Sequence, residues 1–86
     1  MTQEELVSLG FERVDVSKEE SGDEAFFYYT LDFGLSRVVS LISCDDKEAK
    51  SNNGWYVEVF EDESIRYDKY QDVSEFIRII NKGIEQ

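Results

Sequence analysis

The sequence predicts an α+β fold: an antiparallel meander sheet of four to five strands, a C-terminal helix packed on one face, and a short N-terminal helix. Three observations predict it. The middle of the chain carries short, aromatic-rich, strand-favouring runs separated by brief polar connections. Connections that brief suit antiparallel neighbours, because a parallel pair needs a long crossover. Both ends instead carry helical spacing with capping signals. Eighty-six residues hold one core, so residues 1–86 are read as a single α+β domain.

Thr2 and Glu5 form a capping box that opens a helix through Leu6, Val7 and Leu9. Gly10 falls where a left-handed cap belongs, and Phe11 can fold back onto Leu6. The run "FERVDV" alternates as a first strand, and "KEESGDE" reads as a polar loop around Gly22. "AFFYYTLDF" and "LSRVVSLIS", joined at Gly34, read as a hairpin. "CDDKEAKSNNG" reads as a longer loop ending at Asn53 and Gly54. "WYVEVFE" is the next strand, turned by "DES" into a short one at "IRY". Asp72 and Glu75 read as a second capping box. Val73, Phe76, Ile77 and Ile80 then fall on one stripe, widened by Ile79 and Ile84, and Gly83 stops the helix. One face of the meander needs a cover, and this helix is the natural one.

Composition excludes several functions. The hydrophobic fraction of 41% supports a packed core, to which the 14% of aromatic residues contribute much of the area. Twenty acids oppose nine bases, a net charge of −11, and a field of that sign repels nucleic acid and anionic membranes. No apolar run is long enough to span a bilayer, and "MTQEELVSLG" lacks the basic start of a signal peptide. Cys44 has no partner for an internal disulfide, and the setting expected is cytoplasmic.

Period-two alternation divides each strand into two faces. Trp55, Val57 and Val59, with Phe27, Tyr29, Leu31, Leu35, Val39 and Leu41, are assigned to the helix-covered core, and Arg37 is its misfit. The opposite face is mixed: Phe26, Tyr28, Val38, Ile42, Tyr56 and Phe60 lie among Thr30, Ser40 and Glu58. Two readings of it stay open. The N-terminal helix covers part of it through Leu6, Val7 and Leu9, and the rest is ordinary surface. Alternatively Phe26, Tyr28, Tyr56 and Phe60 form a binding or homodimer face, since interfaces favour such aromatic, lightly charged patches.

Alternate turns of a meander share an end of the sheet. That brings Glu19, Glu20, Asp23 and Glu24 beside Asp45, Asp46 and Glu48, diluted by Lys18, Lys47 and Lys50. Glu61, Asp62 and Glu63 fall at the opposite end, near Asp32. Two readings stay open for these ten acids as well: a surface that imitates the phosphates of nucleic acid to occupy a basic groove, or solvated charge that keeps the domain soluble.

Chemistry is excluded on residue types. "DDKEAKSNNG" lacks the alternating oxygen spacing and bend glycine of a calcium loop, leaving only a weak fortuitous site. With no histidine and one thiol, zinc and copper are disfavoured, and no metal or cofactor is expected. Cys44 has no histidine to activate it, no glycine-rich phosphate loop is present, and so small a domain seldom encloses paired carboxylates. The expectation is a non-enzyme that works through its surface on a protein partner with a basic surface. The alternative is a self-pairing or accessory module.

The N-terminal "EELVSLGFE", the "WYVEVFE" strand and the closing "DVSEFIRIIN" helix give a whole-chain pattern that resembles small uncharacterised proteins of bacteriophages and mobile elements. The resemblance rests on pattern and carries no catalytic residues. It implies a context in which small acidic proteins inhibit host defence, anti-CRISPR proteins among them, by blocking a basic nucleic-acid channel.

Overall fold

Local sequence signals set the first element. The Thr2 hydroxyl accepts from the Glu5 backbone N–H, and the Glu5 carboxylate accepts from the Thr2 N–H, which starts helix α1 (Gln3–Ser8). Gly10, at φ 100°, ends it: the Gly10 N–H donates to the Val7 carbonyl and the Phe11 N–H to that of Leu6. This pair of bonds is the Schellman motif, and it turns Phe11 inward beside Leu6; both are buried. The computed structural model describes residues 1–33 and 39–84. The expectations for Gly34, Leu35, Ser36, Arg37 and Val38 lie outside the described residues, as do the side chains of Phe33, Val39, Glu63 and residues 81–84.

After α1 come β1 (Glu12–Val16), α2 (Lys18–Ser21), β2 (Phe26–Phe33), β3 (Val39–Ser43), α3 (Asp46–Asn52), β4 (Val57–Val59), β5 (Asp62–Tyr67) and α4 (Tyr70–Ile84). The five strands form one antiparallel sheet in chain order, a meander. Opposed pairs fix the faces. Leu31 opposes Leu41, and Leu41 opposes Val59, on the core face; Thr30 opposes Ile42, and Ile42 opposes Glu58, on the other.

The core face carries Phe27, Tyr29 and Trp55 in mutual ring contact, with centroids 5.3–6.2 Å apart. Leu6, Leu41, Val57 and Val73 are fully buried around them. Each such aliphatic side chain contributes about 1.5–3 kcal/mol by leaving water. Helix α4 presents Val73, Phe76, Ile77 and Ile80 to this core, and Phe76 meets Tyr67 at 5.6 Å. Buried Ser43 is satisfied: its hydroxyl accepts from the Tyr29 N–H and donates to the Cys44 carbonyl, both at 2.8 Å.

The structure corrects several expectations. Helix α1 does not cover the second face. Leu6 sits in the core, the Tyr29 hydroxyl donates to Gln3, and Met1 exchanges backbone hydrogen bonds with Trp55, so α1 shares the core face with α4. Val7 is exposed. Both polar loops contain helices, because Ser17 and Asp45 cap the backbone N–H groups of Glu20 and Glu48. The last turn lies at Phe60 and Glu61, not "DES", whose residues already belong to β5; a bulge between Glu58 and Val59 shifts the register. Helix α4 begins at Tyr70, so Asp72 sits inside its first turn and does not cap it, and the helix runs through Gly83. Ile79 is 59% exposed and lies off the stripe.

Three substitutions test this packing by denaturant unfolding. Leu41→Ala should cost about 2–5 kcal/mol, whereas Ile79→Ala should stay within about 0.5 kcal/mol. Gly10→Ala should cost about 1–2 kcal/mol, because an L side chain is strained in the left-handed region.

Candidate functional site

The site arises where the middle strand leaves the sheet early. β3 ends at Ser43, whose side chain, not a further ladder carbonyl, receives the Tyr29 N–H. One more bond, Cys44 N–H to the Tyr56 carbonyl at 3.0 Å, holds the chain to the neighbouring segment before Asp45 turns it into α3. On the face away from the core, Phe26 and Tyr28 then stand on one side and Tyr56 and Glu58 on the other, with Ile42 and Cys44 between. The result is a trough of about 530 Å³, open to solvent. Asp45 and Glu48 border it, and Phe60, 64% exposed, also lines it.

The polar groups around it are arranged by short bonds. The Tyr56 hydroxyl donates to Glu48 Oε1 at 2.6 Å. Burial, reinforced by that carboxylate, holds the Tyr56 phenol well above its ordinary range, so it stays a donor. Arg66 lies with its guanidinium carbon 4.1 Å above the Tyr56 ring and donates to Glu58 Oε1 at 2.6 Å. Phe26 and Tyr28 stack with centroids 6.3 Å apart. Cys44 is a buried free thiol, pushed up chiefly by burial, which disfavours the thiolate that nucleophilic chemistry needs.

All four aromatic residues singled out in the sequence, Phe26, Tyr28, Tyr56 and Phe60, line this one trough. The acids divide as the meander predicts. Lys47 bridges to Glu24 at 2.9 Å, and Asp46 Oδ1 accepts from the Phe27 N–H, which joins the α2 and α3 segments at one end of the sheet. Glu61 and Asp32 meet at the other end, both bonded to Ser40. Asp62 accepts from Ser64, and this holds its carboxyl below the ordinary value. The Glu63 side chain lies outside the described residues.

Many of these acids have structural tasks. Asp45 caps α3, Asp46 holds β2, Glu20 accepts from Ser17, and Glu48 accepts from Tyr56. Glu19 and Asp23 are exposed, and neither carboxylate makes a hydrogen bond or ion pair among the described residues. Ile42 and Cys44 between the walls, and the charged pair Glu58 and Arg66, lie outside the acids and aromatics expected to form the site. Strand alternation puts Glu58 on this face as a lone charge, and Arg66 falls in the short run "IRY". The signal for both is the pairing of β4 with β5, which opposes Glu58 to Arg66 and becomes readable once the turn is placed at Phe60 and Glu61.

Among the described residues, no group of three or more metal-ligating side chains is gathered closely enough to hold an ion, and no helix is long and apolar enough to cross a membrane. Comparison with protein-family models, with curated proteins and with solved structures finds no match to this chain. Fold and site define its class: a small α+β domain whose meander sheet has both terminal helices on one face and an acid-bordered aromatic trough on the other.

The trough's protonation is testable. Tyr56 keeps its proton in the folded state beyond the ordinary phenol value of 10.0. The stability this gives is fully present below that value and is lost as pH rises past it, because the unfolded chain then ionises first. Glu48→Gln should move the phenol transition, read from ultraviolet absorbance, part of the way back toward the ordinary value, since burial, the larger cause, remains.

Proposed function

We propose that this protein is a non-catalytic binding domain that docks a protein partner carrying a basic surface. One observation carries the reading: the uncovered sheet face holds an aromatic trough bordered by Asp45, Glu48 and Glu58, in a chain of net charge −11. The acids of α2 and α3 continue that border around one end of the sheet. An apolar floor with a charged rim is the usual anatomy of a docking surface, and a field of one sign speeds encounter with a partner of the other. The concrete form of the proposal is an inhibitor that occupies a basic nucleic-acid-binding surface of a host defence protein, in place of the phosphates that surface was built for.

The same face favours a foreign partner over a second copy. In a two-fold dimer across this face the same acid-bordered surface would meet itself, and two charges of −11 would repel. A cationic partner meets the opposite condition. The bonds already made at the rim also argue for a prepared surface, because Glu48, Tyr56, Glu58 and Arg66 are held before any partner arrives.

The test uses exposed acids whose carboxylates make no hydrogen bond or ion pair among the described residues. A Glu19→Lys, Asp23→Lys double variant should keep its fold and lower affinity for the host partner by about tenfold at low salt, with little effect at raised salt. Capture of that partner from host lysate should fail at raised salt, and duplex DNA should displace it. Capture that is indifferent to salt, to duplex DNA and to the double variant would remove the proposal. Sedimentation as a concentration-dependent dimer would favour the self-pairing alternative.

A further inference from the structure

We propose that the trough is an arginine site: it receives the guanidinium group of one arginine side chain from the partner. This rests on the docking reading above and sharpens it from a basic surface to a single side chain. A guanidinium is planar, weakly hydrated and apolar on its two faces, with N–H donors around its edge. It therefore fits where aromatic faces and carboxylate oxygens converge, and a lysine ammonium, compact and strongly hydrated, does not gain the same contacts.

The trough supplies both kinds of surface. Phe26, Tyr28 and Tyr56 give flat apolar area, and Glu48 and Glu58 stand beside it. The bonds described for those two carboxylates use Oε1 in each, and among the described residues none uses the second oxygen of either. Because the Tyr56 phenol donates to a carboxylate, its ring is enriched in electron density and attracts a cation more strongly.

The protein already holds one guanidinium by these same groups. Arg66, from the edge strand β5, lies over the Tyr56 ring and bonds Glu58 while remaining 56% exposed. It shows that ring and carboxylate are spaced for a guanidinium. Arg66 approaches from the β5 side and is not among the residues that line the trough, whose open volume of about 530 Å³ lies toward Phe26 and Tyr28. A second guanidinium entering there would share the Glu58 carboxylate with Arg66, and Glu48 would balance the added charge.

The test compares fluorescently labelled oligo-arginine and oligo-lysine peptides of equal length, titrated against the full chain at moderate salt. The arginine peptide should bind roughly tenfold more tightly. Glu58→Gln, a near-isosteric change outside the core, should reduce that preference to about twofold or less, because the charged acceptor is lost. Glu19→Lys with Asp23→Lys should weaken both peptides alike and leave the preference intact. On the unmodified chain, the arginine peptide should shift the aromatic proton resonances of Phe26, Tyr28 and Tyr56, which keeps the test valid should a variant misfold. Equal binding of the two peptides, a preference that survives Glu58→Gln, or shifts confined to other residues would overturn the arginine site while leaving the acidic docking surface standing. Binding of neither peptide even at low salt would instead defeat the docking reading itself.

Discussion

The contact among Phe27, Tyr29 and Trp55 is the interaction on which the rest of the structure depends. Phe27 and Tyr29 share a face of β2, and Trp55 enters from the segment before β4, so their contact spans the sheet beneath the point where β3 ends. Each ring is also tied to a helix or an edge. Trp55 exchanges backbone bonds with Met1, the Tyr29 hydroxyl reaches Gln3, the Phe27 N–H is held by Asp46, and Arg13 lies 3.7 Å over the Phe27 ring. Aromatic side chains bring large buried area at low cost in rotamer entropy, which a short chain needs. Drawing α1 and the N-terminal backbone toward one cluster leaves the other face, among the described residues, with α3 only at its border.

That asymmetry makes the trough. A meander with helices on both faces would bury Phe26, Tyr28, Ile42 and Tyr56 as core. Here they are half-buried, supported by the sheet and by one another. The early end of β3 then opens a gap between their two rows, because the ladder gives way to Ser43 and the chain departs into α3. α3 itself brings Glu48 to the mouth of the gap, and the capping bond of Asp45 sets the angle at which it does so. Floor, walls and rim thus follow from one event in the chain, the exchange of a strand for a helix at residues 43–46.

Much of this was legible in the sequence, for physical reasons that also explain the failures. Strand faces could be assigned because a side chain's face alternates with strict period two, and Phe27, Tyr29 and Leu31 against Phe26, Tyr28 and Thr30 fell as expected. Helix α1 was legible because its capping box, Gly10 and Phe11 agree. Helices α2 and α3 were not, because helical periodicity needs apolar residues: α2 buries none, and α3 buries only Ala49. Their signals were polar, in the spacing of Ser17 to Glu20 and of Asp45 to Glu48. The turn at Phe60 and Glu61 was hidden by an exposed aromatic where turn chemistry favours small or polar residues. The covering of one face by both terminal helices had no local signal, since it depends on which cluster of rings forms.

The acidity of the chain has a structural side that constrains any functional account. Glu4, Glu5, Glu19, Glu20, Asp46, Glu48 and Asp72 all lie in the first turns of helices, where negative charge is favoured by the helix dipole. Acid in these positions offsets part of the self-repulsion that a net charge of −11 brings to a compact state. The acids that order α3 therefore also build the rim of the trough, and fold and field cannot be separated there: replacing Asp45 removes a cap along with a charge. They separate only where a carboxylate lacks a structural bond, as at Glu19 and Asp23, or where the charge can be removed with shape retained, as at Glu58. A loss of binding at Asp45 or Asp46 would report on folding as much as on recognition, whereas a loss at those three would report on recognition.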